Sequence, residues 1–246
     1  MGFLFLTNTV AATATTLEDS AAIKSGSDLT HIIAGPRDQI VKGVAGTSHT
    51  VKYNCTSTEV THAVITNANL FKSGNNATQI LLQYGATPTT DSTTAIASMS
   101  LVGPKSQDWV KTITRTSTAF LVKFEHSTSS ESWYGKIFFS KSFNFGVPPQ
   151  FLALQNQLEE VRPLLGHMRY MTEQIMVLQF LSLSQTVMAS FRALPLHQPF
   201  FIYDEDGDHW DHKLEHVVIA DPWTELRRLD GTYSLELTVR RLRHYI

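Results

Sequence analysis

The chain has 246 residues, 42% of them apolar and 17% charged, enough for one large or two ordinary domains with a sizeable core. Lys and Arg number 20 against 22 Asp and Glu, a formal net charge of −2, so no basic field is available to hold nucleic-acid phosphates and no sequence-specific nucleic acid is expected as a partner. The single cysteine, Cys55, excludes an intrachain disulfide framework and any site built from several thiolates.

The opening Met1-Gly-Phe-Leu-Phe-Leu fails as a secretory signal. No Lys or Arg precedes Lys24, and the apolar run stops at Thr7. Asn54-Cys-Thr and Asn76-Ala-Thr match the glycosylation sequon, which carries no weight without such a signal. The other rich stretch, Met176 to Leu183, is broken by Gln179 and falls far short of the roughly 20 apolar residues of a membrane span. These features predict a protein folded in a reducing cytoplasm, with no membrane span.

Composition changes near residue 147. Residues 1–146 hold 23 Thr and 17 Ser, whereas residues 147–246 hold 5 and 4. The first part carries +2 and the second −4, and the breaker-rich segment Phe143-Asn-Phe-Gly-Val-Pro-Pro-Gln150 lies between them. The expected organisation is mainly β with two domains, 1–146 and 147–246.

In the first part, strand-like runs are expected at 50–54, 61–66, 79–84, 96–102, 119–125 and 133–139, separated by Gly-, Pro-, Ser- and Asn-rich turns. Phe120, Val122 and Phe124 share one face by period 2. Ile137, Phe138 and Phe139 run without alternation, as in a strand covered on both faces. Short strands at this spacing predict an antiparallel β-sandwich or jelly roll.

The second part reads as α+β. Leu154, Leu158, Val161 and Leu165 have helical spacing, which Pro163 limits to a short piece. A strand is expected within 172–182. Ser184 is a plausible N-cap for a helix over 185–194, whose stripe Val187, Met188, Phe191 and Leu194 would pack on a sheet before Pro195 ends it. Strands are expected at 199–203, 213–220, 224–229 and 232–242, the last two joined through Asp230-Gly231.

The densest polar cluster contains Asp204, Asp206, Asp208, His209, Trp210, Asp211 and His212. Counted from Asp204, carboxylates stand at positions 1, 3, 5 and 12 (Glu215), an echo of a calcium loop, but position 6 is His209 instead of Gly and the flanks read as strands. A zinc site from His209, His212 and His216 lacks any Cys, and His209 falls on the other strand face. A solvated hairpin tip or a subunit contact is the expected role, with no metal and no cofactor. Arg227, Arg228, Arg240, Arg241 and Arg243 form a basic group across the last two strands, of the kind that makes inter-subunit ion pairs. No Gly-x-Ser-x-Gly elbow or phosphate-cradling loop occurs. Asp91, Asp108, Glu125 and Glu131 could pair for glycan hydrolysis, but surface charge is their default role, and no catalytic residue is expected.

Three segments, Leu29-Thr-His-Ile-Ile-Ala-Gly-Pro-Arg37, Glu59-Val-Thr-His-Ala-Val-Ile-Thr-Asn-Ala-Asn-Leu70 and Trp133-Tyr-Gly-Lys-Ile-Phe-Phe-Ser-Lys-Ser-Phe-Asn-Phe-Gly146, resemble the discoidin-like (galactose-binding-like) sandwich found in minor tail proteins of long-tailed bacteriophages. The last hundred residues, ending Leu226-Arg-Arg-Leu-Asp-Gly-Thr-Tyr-Ser-Leu-Glu-Leu-Thr-Val239, resemble the tube-type domain of phage distal tail proteins. The resemblance implies a tail-tube-like β-barrel with one packed helix in residues 147–246. It implies a non-enzymatic component of the virion tail tip, assembled in the host cytoplasm as a homo-oligomeric ring between tail tube, hub and fibres. The alternative is a carbohydrate- or receptor-binding module, with a host glycan as partner. No sugar-coordinating residue of discoidin relatives can be matched onto this sequence.

Overall fold

A computed structural model describes residues 3–10, 14–19, 23–24, 32, 40–71, 74–99, 101–102, 108–161, 169–205 and 213–242, with the backbone alone given for parts of these. The chain is mainly β and divides into two compact units. One comprises Leu6–Ser142, the other Met1–Phe5 with Phe143–Arg243.

The chain opens with β1 (Phe3–Leu6), whose side chains are all buried. The apolar run at Phe3–Leu6 is thus a buried strand. It pairs with β10 (Phe143–Asn144) in the sheet of the second unit, although its place in the sequence would assign it to the first.

The first unit holds β2 (Ala14–Asp19), β3 (Val41–Lys42), β4 (Gly46–Ile65), β5 (Ala77–Tyr84), β6 (Thr89–Ala95), β7 (Trp109–Ser130), β8 (Trp133–Tyr134) and β9 (Ile137–Ser140). Its main sheet has the order β2-β4-β7-β5-β6, with β9 also on β4, and β3–β8 forms a separate ribbon. The two long strands β4 and β7 pair antiparallel along their length, with register shifts between Asn54 and Thr58 and between Val60 and His62. Such irregularities bend a strand and let one sheet curl around its own core. Phe120, Val122 and Phe124 point inward as their alternation predicts, against Val51, Tyr53, Tyr134 and Phe139. Strand β9 is buried at every position, as its unbroken apolar run implied.

Two expected elements shift. Among the described residues of 96–102 no strand forms: Ile96–Ser98 is a turn of 3-10 helix, and Leu101 makes only an isolated bridge with Trp109. The strand is the preceding Thr89–Ala95, whose Thr-rich sequence suits a largely exposed sheet edge. The Ser-rich stretch after Glu125, expected as a turn, continues β7 to Ser130.

The second unit adds β11 (Gln150–Val161), β12 (Arg169–Leu183), helix α1 (Gln185–Arg192), β13 (Phe200–Asp204), β14 (Leu214–Ile219), β15 (Thr224–Arg227) and β16 (Tyr233–Arg241). They form an eight-stranded sheet of order β10-β1-β13-β14-β16-β12-β11, with β15 on β16. The order has two ends, so among the described residues hydrogen bonds do not close it into a barrel. The expected helix from Leu154 is instead β11, paired residue for residue with β12 from Ala153 to Val161. Residues spaced for a helix also fit a strand when a partner saturates their backbone, and here that pairing prevails over local periodicity.

Helix α1 starts as its cap predicts. Ser184 Oγ accepts from Val187 N, and Met188 and Phe191 are buried. These two join a core rich in phenylalanine: Phe145 stacks on Phe180 at 3.9 Å between centroids, and Phe5 meets Phe145 edge-on at 5.4 Å. Leu235, Leu237 and Val239 of β16 alternate into this core.

Candidate functional site

In the first unit, the connection between β7 and β8 faces the turn that precedes β5, and a polar pocket of about 420 Å³ lies between them. Local chemistry builds the turn. Gly74 (φ 84°) and Asn76 (φ 58°) take the left-handed backbone region, which Gly and Asn tolerate best. Asparagine side chains then fasten the two walls together. Asn69 Nδ2 and Asn75 Nδ2 both donate to the Glu131 carbonyl, at 2.9 and 3.1 Å, while Asn69 Oδ1 accepts from Trp133 N at 2.9 Å. Asn76 Nδ2 reaches Thr128 Oγ1 at 2.9 Å.

Glu131 and Trp133 supply the chemistry of this pocket. Lys24 Nζ donates to Glu131 Oε1 at 2.5 Å and the Trp133 indole N–H to Oε2 at 3.0 Å. The Lys24 hydrogen bond, then that of Trp133, holds the Glu131 carboxyl below its usual range, so it is ionised at neutral pH. Lys42 Nζ lies 4.4 Å from the centre of the Trp133 ring. Asn75 also lines the pocket; it is 8% exposed, and its Oδ1 is buried without a hydrogen-bond partner among the described residues.

Buried histidines brace this unit. His126 is buried and spans both walls: Nδ1 lies 3.2 Å from the Asn75 carbonyl and Nε2 lies 2.8 Å from Ser132 Oγ. A carbonyl only accepts, so Nδ1 carries the proton and Nε2 accepts from the serine. Burial holds this imidazole below its ordinary value, keeping it neutral. His49 is 2.6 Å from Tyr134 Oη through Nε2 and stacks on Phe124. Gly43 makes room for it, because a Cβ there would fall 2.6 Å from the ring.

The second unit has an apolar pocket of about 490 Å³, lined by Leu194, Leu196, Ile219, Pro222 and Trp223, with Ala220, Asp221 and His197.

Of the residues singled out in the sequence, 206–212 lie outside the described residues, and with them Asp206, Asp208, His209, Trp210, Asp211 and His212. Asp204 is not part of a solvated tip: it is a buried residue at the end of β13, its N–H donating to the Lys213 carbonyl. Glu215, position 12 of the calcium-like pattern, is 2% exposed and bound by the Arg241 guanidinium through both Nε and Nη2. His216 is buried and stacks on Phe201 at 4.5 Å. Among the described residues, no three His, Cys, Asp or Glu side chains gather as metal ligands.

The arginines do not form one patch. Arg227 pairs in register with Tyr233, seven residues along β16 from Arg240, a separation of about 24 Å. Arg241 serves Glu215, Arg240 is exposed, and Arg227 and Arg228 project at the β15–β16 turn; Arg243 lies outside the described residues. The four candidate carboxylates are likewise dispersed. Asp91 pairs with Arg115 at 2.5 Å, and buried Asp108 accepts from Asn67 N at 2.9 Å. Glu125 is held by Lys123 and Gln79, and only Glu131 lines the polar pocket.

Sequence reasoning missed this pocket, although its parts were visible separately. Asn76 stood out as a sequon, Asn69 in a turn, Glu131 among dispersed acids and Trp133 as the start of a strand. Nothing local announces that residues 69–76 and 131–133 meet.

No protein-family model and no curated protein matches the chain. Among solved structures, it is similar to a fucose binding module of Streptococcus pneumoniae, with 10% identity and a TM-score of 0.44 over 55% of this chain and 96% of that one. It is similar to the family 32 carbohydrate-binding module of C. perfringens NanJ in complex with galactose, with 10% identity and a TM-score of 0.41 over 55% and 98%. For a Ruminococcus gnavus GH29 fucosidase in complex with fucose the values are 12% and 0.41 over 55% of this chain, which spans only 28% of the fucosidase.

Proposed function

We propose that the Leu6–Ser142 unit is a glycan-binding module whose ligand occupies the pocket between residues 69–76 and 129–133. The observation that carries this is the pocket's mixed chemistry: three asparagine amides, an ionised Glu131 and the Trp133 ring around about 420 Å³. A sugar presents hydroxyls that donate to a carboxylate and exchange hydrogen bonds with amides, together with C–H faces that pack on an indole. The site binds without turnover, because the other candidate carboxylates are engaged elsewhere. Full-length protein on a glycan array, with fucose, galactose and Lewis B probes included, tests this. Binding should occur, and Trp133→Ala and Glu131→Gln should each weaken it at least tenfold. A flat array, or undiminished binding by both variants, ends the reading.

A second reading is a structural role at the tail tip of a long-tailed bacteriophage, with copies of the Phe143–Arg243 unit as neighbours. One feature favours it. The hairpin of β11 and β12 outruns its sheet, because 156–161 and 169–174 pair only with each other among the described residues, over about 20 Å. Such open edges invite strands from another chain. Virions labelled with antibody to this protein should show label at the tail end; label elsewhere, or none, removes this reading.

A further inference from the structure

The second unit exposes apolar surface at one place and offers an apolar cavity at another. At the turn between β15 and β16, Leu229 is fully exposed and Leu226 is 63% exposed. The turn is rigidly made. Gly231 takes φ 83°, Asp230 Oδ1 accepts from both Thr232 N and Oγ1, and Arg228 N donates to the Thr232 carbonyl. Beside the leucines stands Arg227, exposed and without an acidic partner among the described residues. An ordered turn that presents two leucines and an unpaired arginine has the composition of a binding knob, not of a solvated loop.

The matching socket is the cavity lined by Leu194, Leu196, Ile219, Pro222 and Trp223, and its volume of about 490 Å³ exceeds that of a leucine side chain. The Trp223 ring is fixed edge-on against Phe191 at 5.3 Å, and its indole N–H donates to Glu225 at 2.9 Å, so the wall is preformed. Asp221 at the cavity is exposed and, like Arg227, has no ion-pair partner among the described residues.

We propose that the β15–β16 turn of one copy seats Leu229 in the Trp223 cavity of a second copy, with Arg227 of the first facing Asp221 of the second. Apolar burial supplies the attraction and the two unpaired charges set the orientation. Knob and socket are made by different residues of one unit, so a single contact leaves the socket of the first copy and the knob of the second available for a further pairing. This deepens the assembly reading, on which it rests, and is independent of glycan binding.

The test uses two variants, one at fully exposed Leu229 and one at half-buried Ala220, each checked for an unchanged melting curve. Leu229→Asp removes the knob and leaves the socket; Ala220→Trp fills the socket and leaves the knob. Sedimentation velocity over a wide concentration range should show the parent chain self-associating and each variant weakened at least tenfold. An equimolar mixture should form a 1:1 complex and nothing larger, because only one productive pairing remains. Exchanging the charges, Arg227→Asp with Asp221→Arg, should restore the association that either change alone weakens. If both single variants associate like the parent, the knob and socket are wrong while assembly stands. If the parent is monomeric throughout, assembly and this contact fail together.

Discussion

The two units place their buried polar groups differently. In the first, His126 bridges two chain segments as an uncharged imidazole, while Asp108 and Lys136 are almost wholly enclosed elsewhere in the same unit. In the second, Glu215 is almost wholly enclosed and gripped by Arg241. Their surfaces diverge as well. The first presents asparagines, an acid and an indole around a polar hollow, whereas the second shows leucines at a turn and an apolar cavity. A neutral imidazole between the two walls positions these loops without the desolvation cost of an ion at that point. An aromatic core with apolar features outside it suits association with other chains.

The largest expected effect is on the second core. Phe5 is fully buried among Phe143, Phe145, Phe180, Phe191 and Phe200, so Phe5→Ala should destabilise that unit by about 3–5 kcal/mol in urea unfolding. A loss below about 1 kcal/mol would show that the strand from the chain's start is dispensable to that sheet. Next comes the buried ion pair. Arg241→Met strands the Glu215 carboxylate and should cost about 3 kcal/mol, while adding Glu215→Gln should recover part of it; no recovery would mean that Arg241 acts by packing alone.

The smallest effect falls on the first unit and depends on pH. The neutral His126 ring is held below its ordinary value near 6.5 by burial, so as pH falls the unfolded chain takes up a proton that the folded one resists. The stability conferred is complete above about 6.5 and drains as pH drops through the lower folded value. Melting curves between pH 8 and 5 should show this decline, and His126→Gln should flatten it. A variant with an unaltered pH profile would remove His126 from the account.

Much of the fold was legible because it depends on neighbours in the chain. Period-2 alternation placed Phe120, Val122 and Phe124 inward and marked β16, and Ser184 announced the start of α1. The first-core strand at 96–102 was displaced by one turn of chain, because exposed Thr residues and apolar ones compete for the same sheet edge and local propensity ranks them poorly. The pocket was legible only in fragments, since its asparagines look like ordinary turn residues until their carbonyl partner at 131 is known.

Side-chain alternation and capping hydroxyls act over a few residues, and they dictated strand character and the helix start. Contacts between separate segments of the chain decided the rest. They made β11 a strand by giving its backbone a partner in β12, drew Phe3–Phe5 away from the unit that follows, and brought Asn69, Asn75, Glu131 and Trp133 together. Hydrogen-bond saturation and burial are satisfied only by the assembled chain, so no window of sequence can state them.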